Sequence, residues 1–141
     1  MTALLVIDRL IKHFDVGKHL KRDLSMSCLF VSHDLNVVRL LCDGMRVMYP
    51  GKIVEAGPAA GLFADSKPPY TRAAISAIPQ ADPEKRVGRL RLSGEPRSAI
   101  DPDLNVCRFY GRCPKDEQSC ASTMPLLREA QPARQVACHF A

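Results

Sequence analysis

Apolar positions along this chain fall into short runs whose period changes several times. The first, "ALLVI" at residues 3–7, is continuous and of strand length, and "HFDVGKHLKRD" after it reads as loop. In "SCLFVSHDLNVVRLLCD" the run Cys28 to Val31 predicts a buried strand and Ser32 to Asp34 a polar break. Leu35, Val38, Leu41 and Cys42 then recur at three- and four-residue spacing, which predicts an amphipathic helix. "GMRVMYPGKIVEAG" predicts two strands joined at Pro50-Gly51. A Pro-Gly pair favours a type II turn, whose twist suits a two-residue hairpin poorly, so some strain is expected there. "PAAGLFAD" and "PYTRAAISAI" predict short helices with Pro58 and Pro69 in first-turn positions. Beyond Pro79 the pattern dissolves into a charged, proline-containing linker, and from about residue 100 a cysteine-bearing segment follows.

Composition changes this picture little: 46% hydrophobic and 25% charged residues describe a globular chain, and eleven prolines without a tryptophan predict a loop-rich second half. The net charge of +5 is concentrated at Lys18/Lys21/Arg22 and Lys85/Arg86/Arg89/Arg91. Neither cluster is interleaved with aromatics that could stack bases, so both are read as solvated basic surface and no nucleic-acid partner is expected. No apolar run approaches the roughly 20 residues that span a bilayer. The opening "MTALLVIDRLIKHFD" carries Asp8 and Asp15 and no small-residue cleavage site, so it does not read as a signal peptide. A cytoplasmic location is expected, where the six cysteines stay reduced.

Two kinds of chemistry can be looked for directly. A phosphate-cradling loop needs G-x-x-x-x-G-K-[ST], because several backbone N–H groups must converge on the phosphates while the lysine reaches the terminal ones. Gly17-Lys18 and Gly51-Lys52 lack both the upstream glycine and the following Ser/Thr, and Asp8 is followed by Arg9 rather than by a glutamate. Soft-metal chemistry fares better. Cys107, Cys113, Cys120 and Cys138 are spaced C-x5-C, C-x6-C and C-x17-C, with His139 next. Four converging thiolates suit an iron-sulfur cluster or tetrahedral zinc, although the spacings are wider than C-x2-C knuckles and unligated thiols in a loop-rich tail are the alternative. Cys28 and Cys42, in apolar positions, are expected to be small core residues.

Read as one unit, "LFVSHDLNVVRLLCDGMRVMYPGKIVEAGPAAGLF" resembles the end of the nucleotide-binding domain of an ABC transporter. "PPYTRAAISAIP", "LSGEPRS", "CRFYGRCP" and "ACH" then resemble the C-terminal extension of the oligopeptide/dipeptide transporter ATPases, so that the likeness runs from about Ser25 to His139. "LLVIDRLIKHFDVGKHL" is similar to the amino terminus of the same family. Three differences stand out: "AIDPDLNVC" lacks the Pro-Pro and the glycine expected before Cys107, "PPYT" replaces His-Pro-Tyr-Thr, and Pro50 takes an unusual turn position.

The resemblance implies an α/β fold: a remnant of an ABC-type nucleotide-binding domain followed by an irregular cysteine-containing extension. Residues 1–24 would be its first strand and loop, 25–79 its C-terminal part, and 80–141 the linker and extension, with the catalytic middle missing. It also implies that His33 is the switch-loop histidine that senses the terminal phosphate of ATP, that Phe14 stacks on adenine, and that Cys107, Cys113, Cys120 and Cys138 form the motif associated in some members with a [4Fe-4S] cluster. The implied partners are transmembrane permease subunits and a second ATPase subunit of a peptide importer, and the implied location is peripheral, on the inner face of the cell membrane. The expected role is coupling ATP hydrolysis to peptide uptake, without hydrolysis by this chain alone. Two alternatives stay open: a non-enzymatic metal or iron-sulfur module that regulates a transporter, and a remnant without function.

Overall fold

The computed structural model describes residues 27–79, 88–98, 100 and 102–141. Phe14 and the apolar run at residues 3–7 lie outside them. The chain divides into two compact units, Met1–Cys42 and Asp43–Ala141.

In the first unit, helix α1 (Leu35–Leu41) forms where the apolar spacing places it. Asp34 caps it: Oδ1 accepts from the amides of Asn36 at 2.9 Å and Val37 at 3.4 Å, satisfying two of the N–H groups a helix start leaves open. The expected strand at Cys28–Val31 is not formed, and Leu29 is 93% exposed. A strand is defined by a ladder, and no described residue offers this run a hydrogen-bonding neighbour. Cys28 is accordingly exposed rather than a core residue.

The second unit is built on a hairpin, β1 (Gly44–Tyr49) and β2 (Lys52–Pro58). Tyr49 pairs with Lys52 across Pro50-Gly51, and Gly51 takes φ +72°, the left-handed conformation that the third position of a type II turn requires. The twist mismatch of that turn is absorbed by a bulge: Val47 faces Glu55 while Met48 faces Ile53, leaving Val54 as the extra residue. The bulge breaks the in-out alternation of β2, so Val54, Glu55 and Ala56 are buried in succession.

Helices α2 (Ala59–Ala64) and α3 (Pro69–Ser76) follow as expected, Pro69 opening its helix and Pro58 standing one position earlier, at the cap. Leu62 of α2 is fully buried beside Gly57, where a Cβ would lie 3.0 Å from Leu62 Cδ1 and 3.2 Å from the Ala133 carbonyl. Residues 88–98 carry no helix or strand.

The extension is more ordered than an irregular segment. It contributes a short helix, α4 (Gln118–Ser122), and a second hairpin, β3 (Arg128–Gln131) and β4 (Arg134–Val136). β4 pairs with β2 through Glu55 and Val136, giving an antiparallel four-stranded sheet in the order β1-β2-β4-β3. The far edge of β2 therefore finds its partner in the last residues of the chain. This second hairpin also turns on a proline, with Ala133 at φ +60° and a register slip between Glu129 and Gln131.

One buried ion pair fastens the two hairpins. Arg134 donates to Glu55 Oε1 from Nη2 at 2.6 Å and from Nε at 3.1 Å, and neither side chain is more than 7% exposed. The Lys67 amide donates to the same oxygen at 3.0 Å, and Arg134 also holds the Asp65 carbonyl. Glu55 Oε2 is buried without a partner.

Candidate functional site

Cys107, Cys113, Cys120 and Cys138 line one cavity of about 410 Å³ in the second unit, otherwise walled mostly by apolar side chains from β2, the Cys107–Cys120 loop and the chain end. The loop is set against the hairpin by three rings. Phe109 stands edge-on to Tyr49 at 5.2 Å and to Tyr70 at 5.6 Å between centroids, and Tyr49 and Tyr70 are 4.4 Å apart. Such contacts contribute about 0.5–1.5 kcal/mol per pair beyond area burial. Arg112 Nη1 donates to the Tyr49 hydroxyl at 3.0 Å, fixing the same face by a polar contact.

Within the loop, local hydrogen bonds set the cysteine spacing. The Cys107 amide donates to the Cys120 carbonyl at 2.9 Å, which brings the first and third cysteines together. Gly111 N donates to Asp116 Oδ2 at 2.7 Å and Asp116 N to the Cys113 carbonyl at 3.2 Å, so the turn carrying Cys113 is closed from both sides. Cys120 is buried in α4. Cys138 arrives with the chain end, which folds back onto the loop: His139 Nε2 lies 2.9 Å from the Thr123 carbonyl, Lys115 Nζ sits 6.0 Å from the centre of the Phe140 ring, and Arg128 holds the Ala141 carbonyl.

The thiols feel one another. Burial pushes the Cys107, Cys113 and Cys138 thiols up, Cys113 to about 11, and neighbouring cysteines add to this: Cys120 and Cys138 act on both Cys107 and Cys113, and Cys120 acts on Cys138. Opposing the rise, the backbone N–H groups of Phe109, Lys115 and Phe140, each two residues past its cysteine, hydrogen-bond the sulfurs. A sulfur in this setting is a neutral thiol while the cavity is metal-free, yet it already receives donors that favour the thiolate.

Among the described residues, no group of three or more His, Cys, Asp or Glu is drawn together tightly enough to hold a metal ion. The four cysteines expected as ligands line one cavity without forming a compact four-sulfur cage. His139 is occupied by the Thr123 carbonyl at one ring nitrogen. His33 is exposed between Ser32, whose Oγ accepts from the Asp34 amide at 2.9 Å, and the capping Asp34. It belongs to the first unit. Pattern reading missed Arg108 and Phe109 on this cavity and the Tyr49 and Tyr70 rings packed against Phe109; their only sequence signal is that Arg108 and Phe109 fall inside "CRFYGRC".

Residues 54–120, from the bulge of β2 to the third cysteine, match the family described as oligopeptide/dipeptide transporter, C-terminal region. Over this region the chain is similar to the oligopeptide/dipeptide ABC transporter ATP-binding subunits. A Brucella ovis protein named for peptide import and ATP binding is 42% identical over 121 residues, covering 86% of this chain and 38% of that protein. The dipeptide transport ATP-binding protein DppF of Haemophilus influenzae is 37% identical over 119 residues, covering 84% of this chain and 36% of that protein. The di/tripeptide transport ATP-binding protein DppF of Pseudomonas aeruginosa is 39% identical over 122 residues, or 86% and 37%. The chain thus spans well under half the length of these relatives. No helix among the described residues is long and apolar enough to cross a membrane.

Proposed function

We propose that this chain supplies the C-terminal region of a peptide-importer ATP-binding subunit, the part that follows the switch histidine and carries a cysteine-bounded domain packed on the last hairpin. The observation that carries this reading is the family match over residues 54–120, which runs from the bulge of β2 through Tyr70 and Phe109 to the first three cysteines of the cavity. By the same family relation, ATP hydrolysis would be coupled to peptide uptake through permease subunits and a second ATPase subunit, on the inner face of the membrane. His33 would sense the terminal phosphate from the polar tip preceding α1, and Phe14 would stack on adenine. These 141 residues hold no phosphate-cradling loop, so the purified chain is expected to release no phosphate from ATP above a no-protein control. A direct test exchanges the matching region of a relative's ATP-binding subunit for residues 25–141 of this chain and follows dipeptide uptake in cells lacking the native subunit. Uptake is expected to be restored, and its loss with a stable, assembled hybrid would refute the assignment.

The four thiols are proposed to hold an iron-sulfur cluster in preference to zinc. Support comes from the likeness of the cysteine segment to the family's motif, the four thiols that line one cavity, and the amide donors on three of the sulfurs. When bound, such a group would supply one-electron chemistry or a structural staple. The chain's own residues do the rest: Cys107, Cys113, Cys120 and Cys138 would ligate, backbone amides orient the sulfurs, and apolar side chains limit water.

A further inference from the structure

Cys107 and Cys120 are the two cavity cysteines whose backbones touch. The Cys107 amide donates to the Cys120 carbonyl at 2.9 Å, and no other pair of the four shares a backbone bond among the described residues. Such a bond, as between paired strands, holds two Cα atoms about 5.5 Å apart, within the roughly 4.4–6.8 Å that a disulfide spans. Both cysteines line the same cavity, and Cys120 adds to burial in pushing the Cys107 thiol up, so the two sulfurs act on each other. Their backbones are pinned further: the Tyr110 amide donates to the Cys107 carbonyl at 3.0 Å and the Cys120 amide to the Glu117 carbonyl at 2.9 Å. Joining the sulfurs therefore asks for side-chain rotation rather than movement of the chain. Cys107 is half-buried while Cys120 is 3% exposed, so Cys107 is the sulfur of this pair that an outside reagent reaches first.

We infer that Cys107 and Cys120 of the metal-free chain form a reversible dithiol–disulfide pair that exchanges with a small disulfide such as oxidised glutathione. The Cys107 thiolate attacks one sulfur of that disulfide, which leaves a mixed disulfide and releases one small thiolate. The Cys120 thiolate then attacks the Cys107 sulfur and expels the second. Two protein thiols are oxidised to one S–S bond, the small disulfide is reduced to two thiols, and the two thiol protons pass to the departing thiolates. The bond ties the start of the loop to α4 and withdraws two of the four sulfurs from any metal. The inference stands whether or not the cavity seats a cluster.

The test uses the full chain, freed of metal with a chelator, equilibrated with oxidised glutathione while folded, then alkylated and cut with trypsin. Each of the six cysteines falls on its own tryptic peptide, so mass spectrometry reads the pairing directly. The expected product joins residues 98–108 to residues 116–128, is two hydrogens lighter than the two reduced peptides together, and is lost on treatment with dithiothreitol. Cys107→Ser is expected to abolish it, and Cys120→Ala carries the same test if the first variant does not fold. A link between other cysteine peptides in its place overturns the inference. So does a chain, folded by circular dichroism, that keeps its thiols free or holds glutathione without the internal link.

Discussion

The Glu55–Arg134 pair joins residues 79 positions apart and sits where neither partner can be rehydrated without opening the sheet. Glu55→Gln is expected to lower stability by about 3–5 kcal/mol in urea unfolding, since it leaves a buried guanidinium uncompensated. Replacing both partners, Glu55→Leu with Arg134→Met, is expected to recover most of that loss. Ala133 is held at φ +60°, a conformation that costs an L-residue roughly 1–2 kcal/mol, so Ala133→Gly should raise the unfolding midpoint; a lowered midpoint would show the turn to be unstrained. The thiols give a pH signature with a definite sign. Burial raises the folded pKa of Cys107, Cys113 and Cys138 above the ordinary thiol value, so the metal-free fold keeps its full stability below about pH 9 and loses it as pH climbs toward 11. Metal uptake should run the other way, tightening as pH rises, because each ligand must shed its proton. The helix start after the polar break at Ser32–Asp34 was legible in the sequence from the spacing of its apolar residues, whereas the Asp34 cap was not read. The ion pair was not, because one glutamate in a strand and one arginine near the chain end carry no mark of each other.

At the scale of elements, the two hairpins show what pattern reading can and cannot reach. β1 and β2 were legible because apolar residues flank a Pro-Gly turn. β3 and β4 were not: "REAQPARQV" is polar along most of its length, and its place in the sheet is decided by the open edge of β2 and by Arg134 reaching Glu55. Conversely, Cys28–Val31 has strand composition and no ladder among the described residues, so composition alone promised too much. A chain ending at Pro125, without β3 and β4, is expected to lose its cooperative melt and to associate, since β2 would present unpaired backbone groups along one edge. An unchanged melting curve and a monomeric elution volume would show that the second hairpin is dispensable.

For the molecule as a whole, the sheet, the three rings and the folded-back chain end bring four cysteines, three of them within residues 54–120, to one cavity, and the central proposal is that this cavity would seat a thiolate-held cluster. The most direct measurement is iron, acid-labile sulfide and zinc per chain after purification without oxygen, alongside circular dichroism of the same sample and of a Cys113→Ser/Cys120→Ser variant. The account predicts iron and sulfide in equal amounts on a folded parent chain and their loss in the variant. A folded parent chain with neither iron nor sulfide, or with zinc in their place, would contradict it.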